Sequence, residues 1–135
     1  MANALYDHGR ESFLAGELDF GADTIKVILI DTDDYTANMD TDQFYVDVAT
    51  VSRVGTATAL ASKTEVDGVA DAADITLATV TGDQSEAILI YEEEAAESDS
   101  RLIALIDTAT GLPVTPNGGD IVIQWDAGAS KIFKL

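Results

Sequence analysis

Cysteine is missing altogether, which excludes disulfides, thiolate catalysis and cysteine-ligated metals. Positive charge is nearly as scarce: 7 lysines and arginines face 25 aspartates and glutamates, a formal charge of −18. A basic stripe is the electrostatic footprint of nucleic-acid binding, and none is present. DNA or RNA would be repelled, and an anionic membrane surface is an equally poor partner. The one histidine, His8, has no second imidazole with which to build a metal pair. No apolar run approaches the roughly 18 residues that span a bilayer. The opening MANALYDHGRES lacks both the basic start and the continuous apolar stretch of a signal peptide. The expectation is a protein made in the cytoplasm of its producer and used or assembled there, with no nucleic-acid or membrane partner.

What is present suffices for a single domain over 1–135. The apolar share is 47%, enough for a core that hides about two-thirds of the unfolded surface. Near the start, Asn3 is a candidate N-cap, and Leu5, Gly9 and Phe13 with Tyr6 and Leu14 share one helical face. Gly16 suits the left-handed position after a helix end. This predicts a short amphipathic helix over 4–15.

Beyond it the period changes to two. In TIKVILID (24–31), Ile25, Val27 and Leu29 face one way and Ile28 and Ile30 the other. A strand apolar on both faces belongs inside a structure, and the same holds for AILIY (87–91) and LIALI (102–106). ITLATV (75–80), DIVIQWD (120–126) and IFKL (132–135) complete the strands, with Ile121, Ile123 and Trp125 expected inward and Gln124 outward. Asp67-Gly68 between Val66 and Val69 reads as a two-residue type I′ hairpin turn. The fold class that follows is all-β: an antiparallel, jelly-roll-like β-sandwich carrying a short N-terminal helix. Trp125 is expected in its core with Val27, Leu29, Leu89 and Ile106. IFKL is expected to pair within its own sheet, since exposed edges are usually covered.

Two stretches break the pattern. Residues 32–50 form a long excursion with a helical turn around Phe44–Val48. Residues 108–119, TATGLPVTPNGG, combine both prolines with Asn117-Gly118-Gly119 in a strongly specified loop. Ordered loops carry contacts, so Leu112, Pro113, Pro116, Asn117, Tyr35 and Phe44, with Phe133 of the terminal strand, are the candidate interaction residues.

The search for chemistry finds little. No serine sits in a G-x-S-x-G elbow, and there is no Walker loop and no G-x-G-x-x-G, so no catalytic residue and no cofactor are expected. Asp31, Asp33 and Asp34 follow a buried strand and are the candidates for a cation. They lack the D-x-D-x-D-G order and bidentate glutamate of an EF-hand, and a solvated loop explains them as well. Glu92, Glu93, Glu94, Glu97 and Asp99 read as a hydrated tip between strands, or else as a face for a basic partner. Nothing singles out a glycosidase-type carboxylate pair.

The blocks ALYDHGRESFLAGELDF, TIKVILIDTDDYT and SRLIALIDTATGLPVTPNGGDIVIQWDAGASKIFKL resemble a family of small virion proteins of tailed bacteriophages. The likeness extends through GVADAADITLATVTGDQSEAILIY. It is most specific in DTATGLPVTPNGGDI, the W-D-x-G that follows, and the terminal K-I-F-K-L; DTDQFYVDVATVSRV departs from it. The resemblance implies a capsid decoration or cement protein on the outside of the head. Its partners would be the major capsid protein and copies of itself, and the family implies no catalytic residues. A neck or tail component is the alternative within that class, and a carbohydrate- or calcium-binding module the alternative outside it.

Overall fold

In the computed structural model, which describes residues 3–135, the chain runs β1 (Ala4–Leu5), α1 (Asp7–Leu14), β2 (Ile25–Ile30), β3 (Arg53–Ala59), β4 (Thr64–Val66), β5 (Val69–Asp71), β6 (Ile75–Leu77), β7 (Ala87–Glu92), β8 (Leu102–Ile106), β9 (Ile121–Ile123) and β10 (Phe133–Lys134). One five-stranded sheet, ordered β1-β8-β7-β2-β3, forms the centre. Over it lies a second layer divided into the sheets β10-β5-β4 and β6-β9. All pairings are antiparallel, and the fold is all-β and sandwich-like. No helix among the described residues is long and apolar enough to cross a membrane.

The central strands explain the architecture. Strands β2, β7 and β8 are apolar at nearly every position, so both faces of their sheet must be covered. On one face Val27, Leu29, Ile88, Ile90 and Ile103 pack under the second layer, joined by Leu77 and Ile123. On the other, Ile28, Ile30, Leu89, Leu102 and Leu105 pack with Tyr6, Tyr35, Tyr45 and Val48. An extra residue in β8 opposite the Ile90–Tyr91 step shifts the register, which lets Ile103 and Ala104 join the same core. Each fully buried aliphatic side chain contributes about 1.5–3 kcal/mol.

The excursion at 32–50 is therefore the cover of the second face. Its helical turn is present as a 3₁₀ segment, Tyr45–Asp47. The Tyr45 ring stacks on Tyr91 at 4.0 Å and 9°, and the Arg53 guanidinium lies 3.7 Å from the Tyr45 ring centre on top. Arg53 also donates to the carbonyls of Tyr45 and Val48, at 2.8 Å each, which ties the cover to β3.

Two local expectations are corrected. The helix begins at Asp7 with Tyr6 as its cap residue, because Ala4 and Leu5 pair with β8 instead. Leu14 is 91% exposed rather than on the packed face, and Gly16 follows with φ +76° as expected. The Asp67-Gly68 turn is present, both residues at positive φ (55° and 78°) between β4 and β5, as a type I′ turn demands. IFKL pairs within the chain, through β10 on β5.

Candidate functional site

The second layer does not close over the central sheet along its whole length. Past Ile106 the chain leaves the sheet and is held by Asn3. The Asn3 Oδ1 accepts from the backbone N–H groups of Asp107 and Thr108, both at 2.9 Å, and its Nδ2 donates to the Thr108 carbonyl at 3.0 Å. The loop returns at Val114, which exchanges two 2.9 Å backbone hydrogen bonds with Ser85. It is closed by Gly118 and Gly119, bonded to Val80 at 2.8 and 3.0 Å. Strand β9 then pairs with β6. The Trp125 N–H bonds to Asp74 Oδ1 at 2.9 Å and its indole Nε1 donates to the Ala73 carbonyl at 3.1 Å. Between the loop on one side and β9 with Trp125 on the other lies an open groove of about 740 Å³.

Leu29, Ile88 and Ile106 of the central sheet line this groove, together with Leu112, Val114, Ile121, Ile123, Trp125 and Ile132. Its titratable lining residues are Asp126 and Lys131, and Lys131 is held by Asp71 at 3.3 Å. Thr108, Thr110 and Gln124 add polar groups to this lining, so the arrangement suits a segment that is part apolar and part polar. It offers no nucleophile–base pair.

Of the interaction residues read from the sequence, Leu112 lines the groove. Pro113, after a cis peptide bond, Pro116 and Asn117 lie on the loop outside it. The Asn117 Oδ1 accepts from Gly119 N at 2.9 Å, fixing the turn. Tyr35 is buried: its hydroxyl bonds to Tyr6 Oη at 2.9 Å and donates to Asp42 Oδ2 at 2.7 Å, so its side chain is not offered to a partner. Phe44 is half-buried, bridged to Arg101. Phe133 is half-buried too, packing on Phe13 and Phe20 at ring distances of 6.0 and 5.7 Å. Trp125 is half-buried at the groove wall rather than enclosed, and Ile106 is half-buried beside it. Val27, Leu29 and Leu89 are buried as expected.

The acidic groups also sort themselves. Asp31 and Asp34 come together with Asp83, which local sequence did not flag, each offering a carboxylate oxygen within 4.8 Å of the others. Asp31 is buried and the other two exposed. Asp33 contributes its backbone N–H to Asp31 Oδ1 at 2.9 Å, and its carboxylate stands outside the group. A hard cation could bridge the three, with water completing a shell of six to eight oxygens.

The supposed hydrated tip is divided. Glu97 binds Arg53 at 2.9 Å and Glu93 binds Lys26 at 2.6 Å. Glu92 is the last residue of β7 and 1% exposed. Its burial, and a hydrogen bond shared with Asp23, push its carboxyl up to about 7. The same hydrogen bond lowers Asp23, so of the two carboxyls Glu92 is the one that keeps a proton to the higher pH. Arg101 stands 3.4 Å from Glu92 and 2.6 Å from Glu17.

Positive charge is thus largely consumed internally. Arg10, Lys26, Arg53, Arg101 and Lys131 are in ion pairs with the chain's own acids, and Lys63 donates to the Asp23 carbonyl. Compared with known proteins, the chain matches no family model and no curated protein.

Proposed function

We propose that the chain is a structural protein of a tailed-phage particle, bound to the outside of the head shell as a decoration or cement protein. One observation carries the reading. The blocks on which the resemblance is most specific, at 107–121, 125–128 and 131–135, supply most of the groove's lining. Apart from Asn3, Leu29, Ile88 and Ile106, every lining residue comes from 108–132. A family likeness that is most specific along a surface groove supports a shared contact, where likeness confined to a core would support only a shared fold.

Charge supports the outer position. A chain of net −18 facing packaged DNA would be repelled, while outside the shell it meets protein and solvent. The doubly covered sheet supplies a rigid body that is folded before assembly. In this reading the major capsid protein is the principal partner, and neighbouring copies meet across the shell.

Deleting the gene tests this. Particles should assemble and package normally, then lose DNA at a lower temperature than wild type, and added purified protein should restore the lost resistance. Failure of assembly, or of tail attachment, in the deletion would contradict a cement role.

A further inference from the structure

Six consecutive residues, Ile121 to Asp126, line the groove. Side chains of a strand alternate between faces, so the unbroken run of lining residues across β9, Ile121–Ile123, means that the main chain itself forms that part of the wall. Val122 illustrates this: its side chain is 58% exposed on the far face, yet the residue borders the groove. Strand β9 pairs with β6 on one edge and, among the described residues, with no strand on the other. A free edge beside a groove with an apolar floor and polar rim is the arrangement used for strand addition, where main-chain hydrogen bonds hold an extended segment and pockets take alternate side chains.

Charge selects the occupant. The lining cation, Lys131, is already paired with Asp71, whereas Asp126 has no cationic partner among the described residues. Five of the seven basic side chains are in internal ion pairs. A second copy would bring another −18 to the contact. An incoming strand must supply positive charge of its own. We propose that the groove takes a short extended segment of the shell subunit, apolar at alternate positions and flanked by lysine or arginine, added as a strand to the free edge of β9. The shell as donor rests on the function proposed above; the chemistry of the segment rests on the groove.

The test uses the full chain and two synthetic peptides with the same alternating valine–threonine centre, one flanked by lysines and the other by glutamates. The lysine peptide should shift the amide resonances of 121–126 and the emission of Trp125, the sole tryptophan. It should bind about tenfold or more tightly than the glutamate peptide, and weaken as salt rises. Asp126→Lys, at an exposed position, and Ala109→Phe, which fills the groove mouth, should each reduce binding while leaving the remaining amide spectrum unchanged. Equal binding of both peptides, no shift in 121–126, or concentration-dependent shifts there without peptide, which would mark a second copy as occupant, would each overturn the proposal. Peptide binding with no copies on purified particles would remove the shell as donor. Copies on the particle without peptide binding would remove the groove as the contact.

Discussion

Glu92, at the buried end of β7, and Asp23, on the segment that leads into β2, face each other as two carboxyl groups; burial and their contact raise the first, and the contact lowers the second. Arg101 compensates from one side and in turn binds Glu17. The pair is structural, lying apart from the groove-lining residues, and it makes stability depend on pH.

The direction follows from the two shifts. Glu92 is raised from 4.5 to about 7, so its contribution is complete below about pH 4.5 and is lost as pH rises through about 7. Asp23 is lowered, so it contributes above its unfolded value of 3.8 and loses that contribution only in stronger acid. Between pH 5 and 8 the Glu92 effect governs, and the protein should become less stable by up to about 3 kcal/mol. Denaturation midpoints across that range should fall for the wild type and stay nearly flat for Glu92→Gln, which keeps a donor for Asp23 without a titrating proton. A wild-type profile as flat as that of the variant would refute the raised Glu92 carboxyl.

Gly9 is where the helix rests on the central sheet. A Cβ there would stand 2.6 Å from the Leu102 carbonyl oxygen and 3.2 Å from that of Ile103, both backbone atoms that cannot turn aside. Gly9→Ala should cost about 1–3 kcal/mol despite the better helix propensity of alanine. Leu14→Ala on the same helix, at a site 91% exposed, should change stability by less than about 0.5 kcal/mol. Urea denaturation of the two variants distinguishes close approach from a general weakening of the helix.

How far the fold could be read from sequence depended on whether a partner was local. The double-sided strands and the Asp67-Gly68 turn follow from nearby residues, and the pairing of IFKL within the chain from the general covering of edges, although its partner β5 is distant in sequence. Asn3 was misread as a helix cap because its partners, Asp107 and Thr108, lie more than a hundred residues away. The same blindness hid Asp83 from Asp31 and Asp34, and the Asp23 partner of Glu92. Glu92 carried one local signal: it continues the strand AILIY, whose every position is buried. The role of 32–50 was implicit as well, because a sheet apolar on both faces needs two covers and only one was otherwise assigned. Trp125 lies two residues beyond Ile123, the last residue of β9, which leaves the indole half-buried at a groove wall rather than in the core.

The Tyr6–Tyr35–Asp42 chain gives an asymmetric expectation. Tyr35 donates to Asp42 and accepts from Tyr6, which is fully buried. Tyr35→Phe should strand the Tyr6 hydroxyl and cost about 1–3 kcal/mol, whereas Tyr6→Phe leaves the Tyr35–Asp42 bond intact and should cost about 0.5–1.5 kcal/mol. Thermal unfolding of the two variants checks the order; a larger loss for Tyr6→Phe would reverse the donor assignment.

The central claim is that this acidic β-sandwich coats the outside of a phage head, and the copy number per particle tests it most directly. Quantitative mass spectrometry of purified, DNA-filled particles of the parent phage should find the chain in numbers comparable to the major capsid protein. A count corresponding to a single ring would assign the chain to the neck or tail, and its absence from purified particles would contradict the structural reading entirely.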